Sequence, residues 1–96
     1  MVAPIDPRTL QAFVAVASEG SVSRAAERLH LSQPAVSLQL KRLAELTGLV
    51  LFTRMPQGLA LTADGAALLP QARETLAALT GFARAAEGLH GTVRGR

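Results

Sequence analysis

The stretch from residue 21 to residue 43, SVSRAAERLHLSQPAVSLQLKRL, constrains the fold more than any other part of the chain. Val22, Ala25, Ala26 and Leu29 recur at the i, i+3, i+4, i+7 spacing of one helix face. Val36, Leu40 and Leu43 mark a second helix, and only His30 and Leu31 separate Leu29 from Ser32. Ser32 stands where an N-cap belongs, its hydroxyl oxygen accepting from an unpaired backbone N–H. Pro34 falls in the first turn, where its missing N–H costs nothing and its fixed φ suits the helix. Two helices joined this tightly form a helix-turn-helix. Ala25 and Ala26 let the axes cross closely, because larger side chains would hold them apart.

The flanking sequence extends this unit. Leu10, Phe13, Val14 and Ala17 predict an earlier amphipathic helix that Gly20 ends, and Ser21 or its neighbour caps the next one. Gly48 closes the third helix. Two β-prone runs follow, Leu51 to Arg54 and Leu59 to Thr62, and MPQG between them has the proline and glycine positions of a type I turn. Three helices and a small hairpin make a winged helix-turn-helix. Arg54 sits near the hairpin tip, within reach of a phosphate or a minor groove.

The outward face of the third helix points to a partner. Pro34, Ser37, Leu38 and Lys41 lie opposite Val36, Leu40 and Leu43, with Gln33 at the leading edge. That face is small, polar and cationic, with no acid before Glu45. A helix that merely faces solvent mixes acids among its cations. Leu38 has two readings: an ordinary exposed leucine, or an apolar contact for a thymine methyl in the major groove.

Composition narrows the classes. The chain has 96 residues and a net charge of +3, mildly basic and compatible with an anionic partner. A chain this short buries little more than about 60% of its unfolded surface, so its core is thin and a partner chain would help it. Cysteine is absent, which rules out disulfides and thiolate metal sites and fits a reducing, cytoplasmic setting. No apolar run reaches the length of a membrane span. RTLQAFVAVAS imitates a signal segment, but Asp6 precedes it and Gln11 interrupts it. His30 and His90 lack carboxylates at ligand spacing, and the serines lie at caps and turns rather than in a nucleophile elbow. No enzyme, metal site or cofactor is expected.

SVSRAAERLHLSQPAVSLQLKRL, followed by LFTR and LTADG, resembles the N-terminal domain of LysR-type transcriptional regulators over roughly residues 7–90. The chain departs from the usual family pattern at Leu43-Ala44, at Thr47-Gly48 and at Leu38. The resemblance implies sequence-specific binding of double-stranded DNA, as a dimer on a pseudo-palindromic, A/T-rich promoter site. It implies base reading by Gln33, Pro34 and Ser37, joined by Leu38. It implies backbone contacts from Ser23, Arg24, Ser32, Lys41, Arg42 and Arg54.

The remainder is rich in alanine and leucine. Leu69, Ala72, Leu76, Leu79, Ala83 and Ala86 follow a coiled-coil rhythm, which Phe82 and Leu89 widen. Thr62 can cap this helix, Pro70 should bend it near Ala66, and glycines 88, 91 and 95 should stop it. Its apolar stripe must fold back on its own domain or pair with a second chain. The resemblance implies the second, a linker helix forming a homodimer, with tetramers open to the full-length protein. The expected division is a DNA-binding domain at 1–62, a linker helix at 63–90, and at 91–96 the first strand of an effector-binding domain otherwise absent. A small-molecule effector would act only through that domain. The rival reading is a helical protein–protein interaction module without DNA binding, which explains the apolar stripe but not the acid-free face.

Overall fold

The computed structural model describes the backbone of residues 4–94 and the side chains of residues 4–90. Its elements are α1 (Pro7–Glu19), α2 (Val22–Leu29), α3 (Gln33–Thr47), β1 (Phe52–Met55), β2 (Gly58–Leu61) and α4 (Ala63–Arg94). This is the expected winged helix-turn-helix with a long following helix.

Local chemistry accounts for the boundaries. Asp6 caps α1 by accepting from the Arg8 amide at 2.9 Å. Ser21 caps α2 by accepting from the Arg24 amide at 3.2 Å. Ser32 caps α3 by accepting from the Ala35 amide at 3.2 Å, with Pro34 in the first turn. Gly20 and Gly48 end α1 and α3 in left-handed conformations. α2 ends the same way without a glycine: His30 has φ 58°, and its amide bonds back to the carbonyls of Ala26 and Glu27. That conformation places α3 across α2 within a few residues.

The core has two centres. Ala12, Ala15, Val16, Ala25, Ala26 and Val36 join α1, α2 and α3. Phe13, Leu43, Leu51 and Ala72 join α1, α3, the start of the wing and α4. Phe13 meets Phe52 edge to face, with ring centroids 5.7 Å apart, and so fastens the wing to α1. The buried face of α1 is centred on Thr9, Ala12, Phe13 and Val16 rather than on Leu10, Phe13, Val14 and Ala17. It is shifted because α1 lies between the two centres: Leu10 and Val14 pack on the flank nearer α4. Thr9 fits this face because its hydroxyl donates to the Asp6 carbonyl at 2.8 Å.

The hairpin is antiparallel, with Phe52 opposite Leu61 and Met55 opposite Gly58. Pro56 and Gln57 both have negative φ, as a type I turn requires. Thr62 then ties wing to helix. Its amide bonds to the Leu51 carbonyl, its hydroxyl donates to the Val50 carbonyl at 2.6 Å, and the same oxygen caps α4 through the Gly65 amide. Gly65 lies so close to the Leu51 carbonyl that a Cβ there would collide with it. The glycine of LTADG thus lets α4 start flush against the wing.

Two expectations for α4 change. The helix includes Pro70, whose exposed flank leaves the carbonyl freed at Ala66 open to water. It also passes Gly88 and Gly91 and reaches Arg94, so no strand begins at 91 (residues 95 and 96 lie outside the described part). A lone helical glycine is a cost of about 1 kcal/mol, not a stop, when no left-handed cap follows. Finally, Leu69 and Ala72 do not belong to an open seam. Ala72 is 4% exposed in the head's own core and Leu69 packs against that core.

Candidate nucleic-acid interface

The N-terminal half of α3 is exposed along one face. Gln33, Pro34, Ser37, Leu38 and Lys41 are all exposed, and Val36 behind them is fully buried. The buried face anchors the helix, and the opposite face is free for a ligand. Leu38 is 46% exposed, leaving its apolar end accessible. An α-helix of this width fits the major groove of B-DNA.

α3 carries its two adjacent cations to different sides. Lys41 borders a depression shared with Leu40, Val50, Phe52 and Leu59, so it lies between the exposed face of α3 and the wing. Arg42 lines a cleft with Asp6, Thr9 and Glu45 at the start of α1. The Asp6 carboxyl is lowered to about 2, chiefly by its bonds to the Arg8 side chain and amide, with a smaller electrostatic contribution from Arg42. Arg42 is thus turned away from the Ser37–Lys41 face and shares its surroundings with two carboxylates. Its expected role at the backbone is the one least supported by its position.

Arg54 is exposed on β1 opposite Leu59, one pair from the turn. The wing that carries it also meets the α1–α2 corner at two points. The Leu59 amide donates to the Gly20 carbonyl at 3.0 Å. Gly58, at φ 143°, lies so close to Gly20 that a Cβ would strike that same carbonyl oxygen. The glycine expected for a turn therefore also permits contact between the wing and the α1–α2 corner.

Ser23 and Arg24 are exposed on the first turn of α2. The Gln33 side-chain amide donates to the Ser23 hydroxyl at 2.7 Å, joining the two helices across the turn. Nothing in helical periodicity signals this bond, since it depends on the crossing of α2 and α3. Ser32 is exposed, with its oxygen engaged in the cap. Among the described residues the ion pairs are Arg8–Asp6 and Arg28–Glu19. Arg24, Lys41 and Arg54 are in neither, so these cations carry no competing carboxylate bond.

α4 presents a different surface. Toward its C-terminal end its apolar side chains are uncovered: Leu79, at the edge of a cleft with Ile5 and Leu10, is 46% exposed, Phe82 77% and Leu89 70%. Ala83 and Ala86 are exposed beside them, and Leu76 is half-buried at the border. No described helix is long and apolar enough to cross a membrane. No cluster of three His, Cys, Asp or Glu that could hold a metal is found among the described residues.

The sequence model for "Bacterial regulatory helix-turn-helix protein, lysR family" matches residues 7–66. A protein of Azotobacter vinelandii described as an uncharacterized HTH-type transcriptional regulator is 46% identical over 92 residues, covering 96% of this chain and 64% of its own length. The HTH-type transcriptional regulator CbbR of Rhodospirillum rubrum is 46% identical over 93 residues, covering 97% of this chain and 31% of that protein. The chain therefore spans less than two thirds of these curated relatives. Among solved structures, the CbnR_DBD–DNA complex aligns with a TM-score of 0.81 and 37% identity, covering 88% of this chain and 97% of that one.

Proposed function

The chain belongs to the LysR family of bacterial regulatory helix-turn-helix proteins, and from that premise we propose that it is the double-stranded-DNA-reading part of a transcriptional regulator. One observation carries the reading: the exposed face of α3 formed by Gln33, Pro34, Ser37, Leu38 and Lys41 holds no acid, and its cation Lys41 is in neither ion pair. A structurally similar domain has been solved in complex with DNA, which supports the same assignment.

In this reading α3 lies in the major groove. Gln33 and Ser37 meet base edges, and Pro34 and Leu38 supply apolar contacts. Arg24, Lys41 and Arg54 meet phosphates, with Ser23 and Ser32 at the backbone beside them. These contacts separate into two kinds, because phosphates fix orientation and base edges carry sequence. The uncovered end of α4 pairs with a second copy, so that two heads address two half-sites of a pseudo-palindromic A/T-rich site. The whole regulator would act in the cytoplasm, with an effector-binding domain beyond this chain. An apolar interaction module alone accounts for Phe82 but leaves the α3 face unexplained.

Selection of bound duplexes from a random pool, followed by titration of Gln33→Ala, tests the proposal. Loss of a base-reading side chain should weaken the selected site by about 1–3 kcal/mol and relax preference at one base pair. Scrambled DNA should be nearly unaffected. Failure of the parent protein to enrich any sequence would overturn the reading, and an equal loss on both duplexes would remove Gln33 from the bases.

A further inference from the structure

We propose that Ser23 is a positioning residue, acting through Gln33 to set the hydrogen-bonding edge that α3 offers to a base. The inference rests on the reading of α3 as the base-reading helix and adds to it a residue on another helix that governs specificity.

The geometry is specific. Gln33 is the first residue of α3 and Ser23 lies in the first turn of α2, both on the surface. The Gln33 Nε2 donates to the Ser23 Oγ at 2.7 Å, a short bond between two side chains brought together only by the turn at His30. A glutamine side chain is otherwise long and mobile, and its amide can present either end outward. Held by one N–H, it keeps its carbonyl oxygen and its second N–H for a ligand. That acceptor and donor, side by side, complement the N6 donor and N7 acceptor of adenine in the major groove.

The hydroxyl has a matching remainder. Ser23 uses one lone pair to accept from Gln33, so its own hydrogen is available to donate. A phosphate oxygen is the natural acceptor beside α2 in the proposed complex. A hydroxyl donating to an anion becomes a better acceptor for the amide behind it. Docking on the backbone would therefore tighten the orientation of the base-reading group. Ser23 thereby links a contact without sequence information to one that carries it.

The experiment is a double-mutant cycle with the selected duplex and a duplex altered at the base pair that Gln33→Ala relaxes. Ser23→Ala should cut discrimination between the two by about fivefold, the equivalent of one neutral hydrogen bond. In the Gln33→Ala background the same substitution should leave discrimination unchanged. Ser23→Thr, which keeps the hydroxyl, should restore most of it. Circular dichroism checks that each variant keeps its helices. Equal weakening on both duplexes would make Ser23 a backbone contact only and overturn the inference, as would additive losses in the cycle. Both of those results leave the DNA-reading function intact. A parent protein that selects no sequence overturns both.

Discussion

Ala72 and Phe82 lie on one helix, and both belong to the apolar stripe read from the sequence, yet Ala72 is 4% exposed and Phe82 77%. The first turns of α4 lie over Phe13, Leu43 and Leu51, where Leu68, Leu69 and Ala72 complete the head's second core centre. The rest outruns the head. A helix of 32 residues is about 48 Å long, whereas the molecule's second-largest extent is 34 Å. No described part of the chain is wide enough to cover it. A single periodic stripe thus meets two environments in succession: the chain's own core first, then open surface. Periodicity reports that a face is apolar, and only the size of the neighbouring body decides how far along the helix that face is covered.

The sharpest way to break this contrast is to remove a large side chain from each region. Phe13 is 1% exposed and touches both α4's core centre and Phe52. Phe13→Ala should cost about 3–5 kcal/mol, the range for a buried aromatic truncation. Set against a typical stability of about 5–15 kcal/mol, that brings a small head close to unfolding. Urea titration followed by circular dichroism measures it. A loss below about 1 kcal/mol would mean that the second centre does not hold the head together.

The corresponding change in the protruding part is Phe82→Asp. It should leave head stability nearly unchanged, because Phe82 makes no part of either core centre. It should instead abolish self-association, since a carboxylate would have to be desolvated against apolar neighbours or hold the helices apart. Sedimentation should then give a monomer, and the gain of a two-half-site duplex over a single half-site should disappear with the lost linkage. Phe82 separates the two regions better than Leu76, which is half-buried at the head's border. If Phe82→Asp left the protein dimeric, the proposed seam would lie elsewhere.

The head was the more legible region because its signals are local. Ser21, Ser32, Gly20, Gly48 and Thr62 act within a turn of their own position, and each caps or closes the helix expected of it. The left-handed turn at His30 carried no such signal, since glycine is the residue that conformation favours most. The displaced face of α1, the Ser23–Gln33 bond and the loss of Leu69 and Ala72 to the core depend on how elements cross. The site shows the same division. The exposure of Gln33, Pro34, Ser37, Leu38 and Lys41 followed from the helical wheel, but the turning of Arg42 toward Asp6 required the position of α1.

A smaller effect tests one of those local signals. The Ser32 oxygen satisfies the Ala35 amide at 3.2 Å, on the turn that also presents Gln33 and Pro34. Ser32→Ala should destabilise the head by about 1 kcal/mol, the usual value for a lost N-cap. The loss should be equal at any protein concentration, because the cap belongs to the head and not to the proposed dimer. A concentration-dependent loss in thermal or urea unfolding would tie the start of α3 to association and blur the separation of the two regions.

The smallest effect concerns pH and again belongs to the head. Asp6 caps α1 and pairs with Arg8, whose side chain and amide lower its carboxyl from 3.8 to about 2. A carboxyl lowered by folding releases its proton more readily in the folded state than in the unfolded one. Its contribution is therefore complete above the unfolded value, 3.8, and is lost as the pH falls toward about 2. The pair lies at the surface, where salt and water screen it, so the change should be slight and should shrink further with added salt. Asp6→Asn keeps a capping oxygen but has no carboxylate to titrate. Urea midpoints of the two proteins should draw together as the pH falls from 3.8 toward about 2 and the parent's carboxyl takes up its proton. A difference that stayed constant over that interval would show that folding does not lower the Asp6 carboxyl and that its charge adds nothing to stability. A difference that widened would require a folded carboxyl raised rather than lowered, and would place Asp6 in surroundings unlike the exposed pair with Arg8.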